Sequence, residues 1–290
     1  MNKGIFFIIA AAMLWGTTGT SQAFAPVGAM PLTVGTLRLL IGGAGLLIVA
    51  VAGRSFTGSK FNPIHLIGGA VLVAIYQIAF FSAVKLTGVA VGTIVAIGSG
   101  PAFAGVLSRV ILKEHLNKKW YLATIFAVIG CALLVLSGED DISVNPLGIL
   151  YALISGFGYA GYTMTAKVML ARAKGNAVLA LLFFGAALIM LPVLFIYDIS
   201  WLSTTKGVIS MAHLGLLATT LAYIFFAKGL KTLTVAKTTT LSLAEPLTAS
   251  FLGIAVLGES LNMMVGLGMM CLLSGILILS LEKRSPADTE

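Results

Sequence analysis

Glu245 and Pro246 stand side by side about ten residues into an apolar, nearly uncharged run at residues 234–257. A carboxylate held in so apolar a stretch costs about 3 kcal/mol or more unless it is paired, protonated or in contact with a ligand. Pro246 cannot donate to residue 242, which leaves the Ser242 carbonyl open to a ligand or a neighbour. Two readings of the acid follow. Glu245 is either a proton-coupling or amine-binding carboxylate, or one half of a fixed ion pair with Arg38. Arg38 lies in the apolar run 32–53, about seven residues from its outer end, and its long side chain can reach inward. Facing a cavity by itself, Arg38 could hold a substrate carboxylate through two hydrogen bonds.

Polar and aromatic residues recur in several other apolar runs. Trp15, Thr18 and Gln22 are spaced i, i+3 and i+7, which places them on one face of a helix. Tyr76, Gln77 and Phe80 cluster in another run, Tyr159, Tyr162 and Thr163 in a third, and Tyr223 in a fourth. An apolar cavity with a few placed polar groups suits an amphipathic ligand, and aromatic faces attract ammonium groups. Any one of these rings could simply pack helices or mark an interface. As a set, together with Ser242 and Glu245, they are expected to line a solute site.

Catalytic patterns are missing. The chain has no H-E-x-x-H, no G-x-S-x-G and no paired acidic motif inside its apolar runs, and only 3 histidines, without metal-ligand spacing. Gly98-Ser99-Gly100-Pro101 lacks the lysine and the strand-to-helix context of a phosphate loop. Cys131 and Cys271 both fall within apolar runs, where a free thiol behaves as a small hydrophobe, so neither a disulfide nor a metal site is expected. Glu114 and Glu259 sit at run ends, where capping or interface packing is the expected role. No cofactor is called for.

The elements that carry these residues follow from composition. Of 290 residues, 59% are hydrophobic and 10% charged, against the roughly 25% charged of a soluble domain. Apolar runs fall at 4–23, 32–53, 64–84, 90–112, 120–138, 147–168, 177–197, 207–227, 234–257 and 262–281. Each can cross a hydrocarbon core about 30 Å thick. Without strand alternation, and with backbone groups that must bond within their own segment, they read as ten transmembrane helices. The start imitates a signal peptide, Met1-Asn2-Lys3 before an apolar run that ends in Ala23-Phe24-Ala25. Its counterpart in the repeat described next makes it the first spanning helix instead.

The net charge of +8 does not point to nucleic acid, because Lys and Arg punctuate apolar runs and form no patch with interleaved aromatics. With a cytoplasmic N-terminus, the inner loops and helix ends collect all 18 Lys and Arg residues except Arg38, Lys85 and Lys206. Glu139, Asp140, Asp141, Asp198 and Glu259 then face outward, as the positive-inside rule favours. Both termini are expected in the cytoplasm, with a short polar tail at 283–290.

Pro101 and Pro246 are 145 residues apart, and the same offset pairs Phe80 with Phe225, Phe81 with Phe226, Thr93 with Thr238, Glu114 with Glu259 and Gly130 with Gly275. It also pairs Gly16, Thr18 and Thr20 with Gly161, Thr163 and Thr165. Chance explains shared Gly or Leu in apolar helices; a mid-helix Pro followed 13 residues later by Glu, twice, is a repeat. The halves are 1–138 and 146–282. Five helices per half is an odd number, so the second half enters the membrane from the opposite side, the five-plus-five inverted-topology repeat of many secondary transporters.

Leu14-Trp15-Gly16, Arg38-Leu39-Leu40 and the blocks Leu112-Lys113-Glu114-His115-Leu116 and Leu257-Gly258-Glu259-Ser260-Leu261 resemble the drug/metabolite transporter superfamily, EamA-type branch, over residues 4–281. The resemblance implies ten helices and no nucleotide hydrolysis. It implies a bacterial inner-membrane exporter of amino acids, related metabolites or cationic drugs, with a central cavity lined mainly by helices 1, 3, 4, 6, 8 and 9. The expected partners are a small solute, the bilayer and protons as a coupling ion. A flippase for lipid-linked substrates shares the fold and stays open as an alternative. A membrane-embedded enzyme is the weaker one, for want of convergent catalytic groups.

Overall fold

The structure is a computed structural model that describes residues 3–136, 145–258 and 260–281. Glu139, Asp140, Asp141, Glu259, the first two residues and the tail at 283–290 lie outside the described residues, as do the exact ends of the two halves.

Ten helices among the described residues are long and apolar enough to cross a membrane. They are α1 (Lys3–Ala23), α2 (Pro31–Ala52), α3 (Pro63–Gly88), α4 (Val91–Ile111), α5 (Lys118–Leu136), α6 (Pro146–Leu170), α7 (Gly175–Ile196), α8 (Thr205–Thr232), α9 (Val235–Leu257) and α10 (Met263–Ser280). Their starts carry recognisable signals. Asn62, Asn145 and Asn262 cap α3, α6 and α10 through their side-chain oxygens, and Pro occupies the first turn of α2, α3 and α6, where no amide donor is needed. Between α3 and α4 the chain turns almost without a loop. Gly88 does this with φ 79°, a conformation that a side chain would disfavour.

Helices without much hydrophobic drive between them associate by close packing, and small residues set the contacts. Gly43 of α2 lies against the backbone of Phe183 and Phe184 in α7. Gly42 and Gly45 admit Thr219 and Thr220 of α8. Gly156 and Gly158 bring α6 against the backbones of α4 and α3.

The pair α5 and α10 shows reciprocal contacts. A Cβ on Gly130 would meet Gly268 and Leu272; one on Gly275 would meet Ala123 and Ala127. Those partners are themselves 145 residues apart. An alanine at Gly130 would place its Cβ 2.7 Å from the Gly268 oxygen and the Leu272 nitrogen, both backbone atoms with little freedom to retreat. Gly130→Ala and Gly275→Ala should each cost about 1–3 kcal/mol, the usual range for overpacking. Gly266→Ala on α10, with nothing within 4 Å, is the control and should be neutral or slightly stabilising. Thermal unfolding in detergent reads all three; equal melting temperatures would contradict the tight contact.

Candidate functional site

The aromatic residues singled out in separate helices come together. Tyr76 of α3 approaches Tyr159 and Tyr162 of α6 at 5.9 and 6.1 Å between ring centroids. Tyr162 meets Phe183 of α7 edge-on at 5.8 Å, and Phe183 lies 4.0 Å from Tyr223 of α8. Tyr223 continues to Trp15 of α1 at 5.0 Å, and Trp15 to Phe226 at 5.4 Å. The hydroxyls of Tyr162 and Tyr223 share a hydrogen bond of 3.2 Å. Phe183 and Phe226 belong to this chain of rings, although their sequence context, Phe in an apolar run, gave no sign of it.

Glu245 joins the cluster through a break in its own helix. The α-helical hydrogen-bond pattern of α9 lapses at Ser242–Leu243, just before the acid. The Ser242 carbonyl is not open to a ligand, contrary to the expectation from Pro246, because the Glu245 amide closes a tight turn onto it at 3.0 Å. The Ser242 hydroxyl donates to the Thr238 carbonyl at 3.0 Å. Gly16 of α1 packs against the Glu245 carbonyl and Thr248, so α1 and α9 cross one residue from Trp15.

Glu245 lies deep in the bundle yet keeps accessible surface, so its side chain borders open space. Among the described residues its carboxylate accepts no hydrogen bond, and Arg38 does not form an ion pair with it. The fixed-pair reading therefore fails as a direct contact. Arg38, Tyr76, Tyr159 and Tyr223 are still within electrostatic reach of the carboxylate. Arg38 instead donates through Nε to Thr219 Oγ1 at 3.4 Å. Thr219 stands on a π-helical stretch of α8, His213–Leu221, within which the Thr219 and Thr220 hydroxyls donate to the carbonyls of Leu214 and Gly215, five residues back. Such widened turns are common at functional sites. The adjacent threonines inside an apolar helix were the available signal for it.

Among the described residues, Trp15 Nε1 and Thr18 Oγ1 of α1 are buried without a hydrogen-bond partner, while the Tyr159 hydroxyl has Ser242 beside it. Buried polar groups of this kind normally find a partner, and a bound solute or water could supply it. The remaining expected residues are placed elsewhere. Gln22 is exposed at the far end of α1. Gln77 is buried with its amide against Gly35 of α2. Phe80 packs on Phe81 and into a separate small cluster with Ala83, Ala96 and Ala152. Thr163 is buried, its hydroxyl donating to the Tyr159 carbonyl at 2.8 Å.

A large cavity lies away from Glu245. A vestibule of about 1430 Å³ opens at the basic end of the bundle, lined among others by Lys60, Lys113, Lys167, Arg172, Lys231 and Lys237, with Glu114 as its single acid. Glu114 caps the start of α9, as its place at a helix end suggested, with both oxygens 3.2 Å from the Val235 amide. Partial burial pushes its carboxyl up, opposed by the Val235 amide and the Lys167 charge. Lys167 itself donates to the carbonyls of Leu230 and Leu233 at 2.9 and 2.7 Å, at the end of α8. The corner between α8 and α9 is thus gripped from both sides. Lys237, on the vestibule wall, precedes Glu245 by eight residues, about 12 Å along a helix.

The EamA-like transporter family matches twice, over residues 2–136 and 146–281. The chain belongs to that family. It is a membrane transporter of the drug/metabolite transporter type. The uncharacterized transporter YwfM of Bacillus subtilis is 41% identical over 98% of this chain and 96% of its own length. The uncharacterized inner membrane transporter YicL of Salmonella typhimurium is 24% identical over 99% and 98%. A crystal structure 19% identical to this EamA-like transporter superimposes with a TM-score of 0.84 over 96% of both chains, which shows the shared fold. Among the described residues, no three His, Cys, Asp or Glu side chains gather as a metal site would require.

Proposed function

We propose that this EamA-like protein is a secondary exporter of small amphipathic solutes that carry an ammonium group, working by alternating access around Glu245 and its ring of aromatic side chains. The observation that carries this reading is the Glu245 carboxylate, deep in the bundle, without a hydrogen bond or direct ion pair among the described residues, and within electrostatic reach of Tyr76, Tyr159 and Tyr223. An ammonium group would find there both a counter-charge and aromatic faces. Arg38 of α2, held apart by its bond to Thr219 of α8, remains available for a second, anionic group on the solute, and a proton would serve Glu245 as the alternative occupant.

The positive-inside orientation supports a bacterial inner-membrane protein with both termini cytoplasmic, and then the vestibule faces the cytoplasm, as loading of an exporter requires. The reciprocal Gly130 and Gly275 contacts, together with an odd number of helices per half, support two halves, 1–138 and 146–282, in inverted orientation. A screen of solute flux in proteoliposomes, with and without a proton gradient, tests the function. Ammonium-bearing solutes should move and compete with one another; flux confined to solutes without a cationic group would overturn the reading. Orientation is tested separately. A cysteine at Lys206 should react with an impermeant thiol reagent added outside cells, and one at Lys118 should not, with the reverse pattern inverting the topology.

A further inference from the structure

A second, smaller cavity lies beside the vestibule, at the same basic end. Its volume is about 220 Å³, and it is lined by Ser55, Lys174, Gly175, Asn176, Ala227, Lys228 and Lys231. Small-molecule pockets start at about 300 Å³, so this one fits a single functional group and a few waters. None of its lining residues is acidic.

Its floor is the start of α7. Lys174 occupies the N-cap position and offers no side-chain cap, so the first amides of a helical segment that runs unbroken over Gly175–Met190 point outward without the usual acceptor. Gly175 is what brings this helix end against Ala227 of α8, since a Cβ there would stand 2.8 Å from the Ala227 Cβ. That contact sets Lys228 and Lys231 on the rim. Lys228 is steadied over the rings of Phe7 and Phe225, with Nζ at 5.3 and 5.9 Å from their centroids. Lys174 ties the α2–α3 connection to this site through Nζ and the Arg54 carbonyl, at 3.1 Å. An independent sign comes from the next residue: Ser55 is only 5% exposed and borders the pocket, yet among the described residues its hydroxyl has no hydrogen-bond partner. Its oxygen is left to face the pocket, where the partner must come from outside the protein.

We propose that this pocket is a phosphate-binding site, separate from the solute site, which holds a phosphate group on the α7 amides, the Ser55 hydroxyl, the Asn176 amide and the three lysines. Helix N-termini and ammonium groups together are the recurrent chemistry for such anions. The phosphate can be dissolved, as orthophosphate or a phosphomonoester, or it can be the phosphodiester of an anionic lipid, because basic residues at the cytoplasmic end of spanning helices meet such headgroups.

Thermal unfolding of the purified full-length protein in neutral detergent separates these cases. One arm titrates sodium phosphate against sodium chloride at equal ionic strength; the other adds phosphatidylglycerol or phosphatidylcholine to the micelles. The expected result is a saturable rise in Tm. A rise with both phosphate and phosphatidylglycerol assigns the site to the phosphate group itself, with phosphatidylglycerol alone to the lipid, and with phosphate alone to a soluble ligand. Asn176→Asp places a carboxylate on the second residue of α7, where the helix N-terminus favours it, so the ligand-free Tm should hold while the rise disappears. Lys231→Gln should weaken the response about tenfold, and together with Ser55→Ala it carries the comparison if Asn176→Asp does not fold. The proposal is overturned if no form of phosphate raises Tm beyond its control, or if the rise survives in these variants.

Discussion

Glu245→Gln should leave the protein as stable as the parent, within about 1 kcal/mol, while ammonium-bearing solutes bind about 10- to 100-fold more weakly. The stability half follows from the missing ion pair. Breaking a buried pair costs about 3–5 kcal/mol because the partner is left uncompensated. Arg38 loses no direct contact here, since it bonds Thr219 instead. The binding half follows from removal of a charge-assisted hydrogen bond, worth about 1.5–3 kcal/mol. Proton-gradient dependence of flux, where the parent shows it, should vanish with the carboxylate. Arg38→Gln and the double variant complete a cycle. Stability changes from the two sites should add to within about 0.5 kcal/mol, and a strong rescue in the double variant would restore the fixed-pair reading. Unchanged solute affinity and pH dependence in Glu245→Gln would remove Glu245 from the site.

Trp15→Ala should destabilise the protein by about 3–5 kcal/mol, the usual cost of truncating a buried Trp. Trp15 is 5% exposed and bridges Tyr223 and Phe226, so its loss opens a void at the crossing of α1, α8 and α9. Alanine is therefore the wrong probe of its role with solute. Trp15→Phe keeps one aromatic ring at these contacts and deletes the unpartnered Nε1–H, with a smaller loss of packed area than alanine brings. That variant should keep most of the stability and lose about tenfold in solute affinity, the worth of about one hydrogen bond. Melting temperature and solute binding, measured on both variants, check this. A Phe variant with parental affinity would reduce Trp15 to a packing residue.

The ten helices were legible because uncharged runs of spanning length leave few alternatives, and because Asn, Pro and Gly mark their ends. The site was legible by helix face only in part. Trp15 reaches the aromatic cluster, whereas Gln22, on the same face of α1, stands about two turns further along, at the exposed end. Tyr76 and Gln77 show why neighbours in sequence part company: one residue is about 100° of helix rotation, enough to turn Gln77 away from α6 toward α2. Phe80 shares a face with Tyr76 but lies one turn further along, where α4 and the start of α6 replace the tyrosines as neighbours. Phe183 was invisible because an aromatic ring in an apolar run reads as lipid-facing or packed, and only the approach of α2 and α7 at Gly43 decides its direction. The π-helical turn of α8 and the separation of Arg38 from Glu245 depend on the way three helices cross, which no local pattern encodes.

The contact between α5 and α10 also constrains motion. At Gly130 and Gly275 the two helices touch through backbone atoms, with Gly268, Leu272, Ala123 and Ala127 as their counterparts. A surface made of side chains can slip, because each rotamer can hop to a new well, but a surface made of carbonyls and amides has no such gears. In the alternating-access cycle proposed above, a seam of this kind favours tilting about its touching points over sliding along them, and α5 and α10 would move as one body.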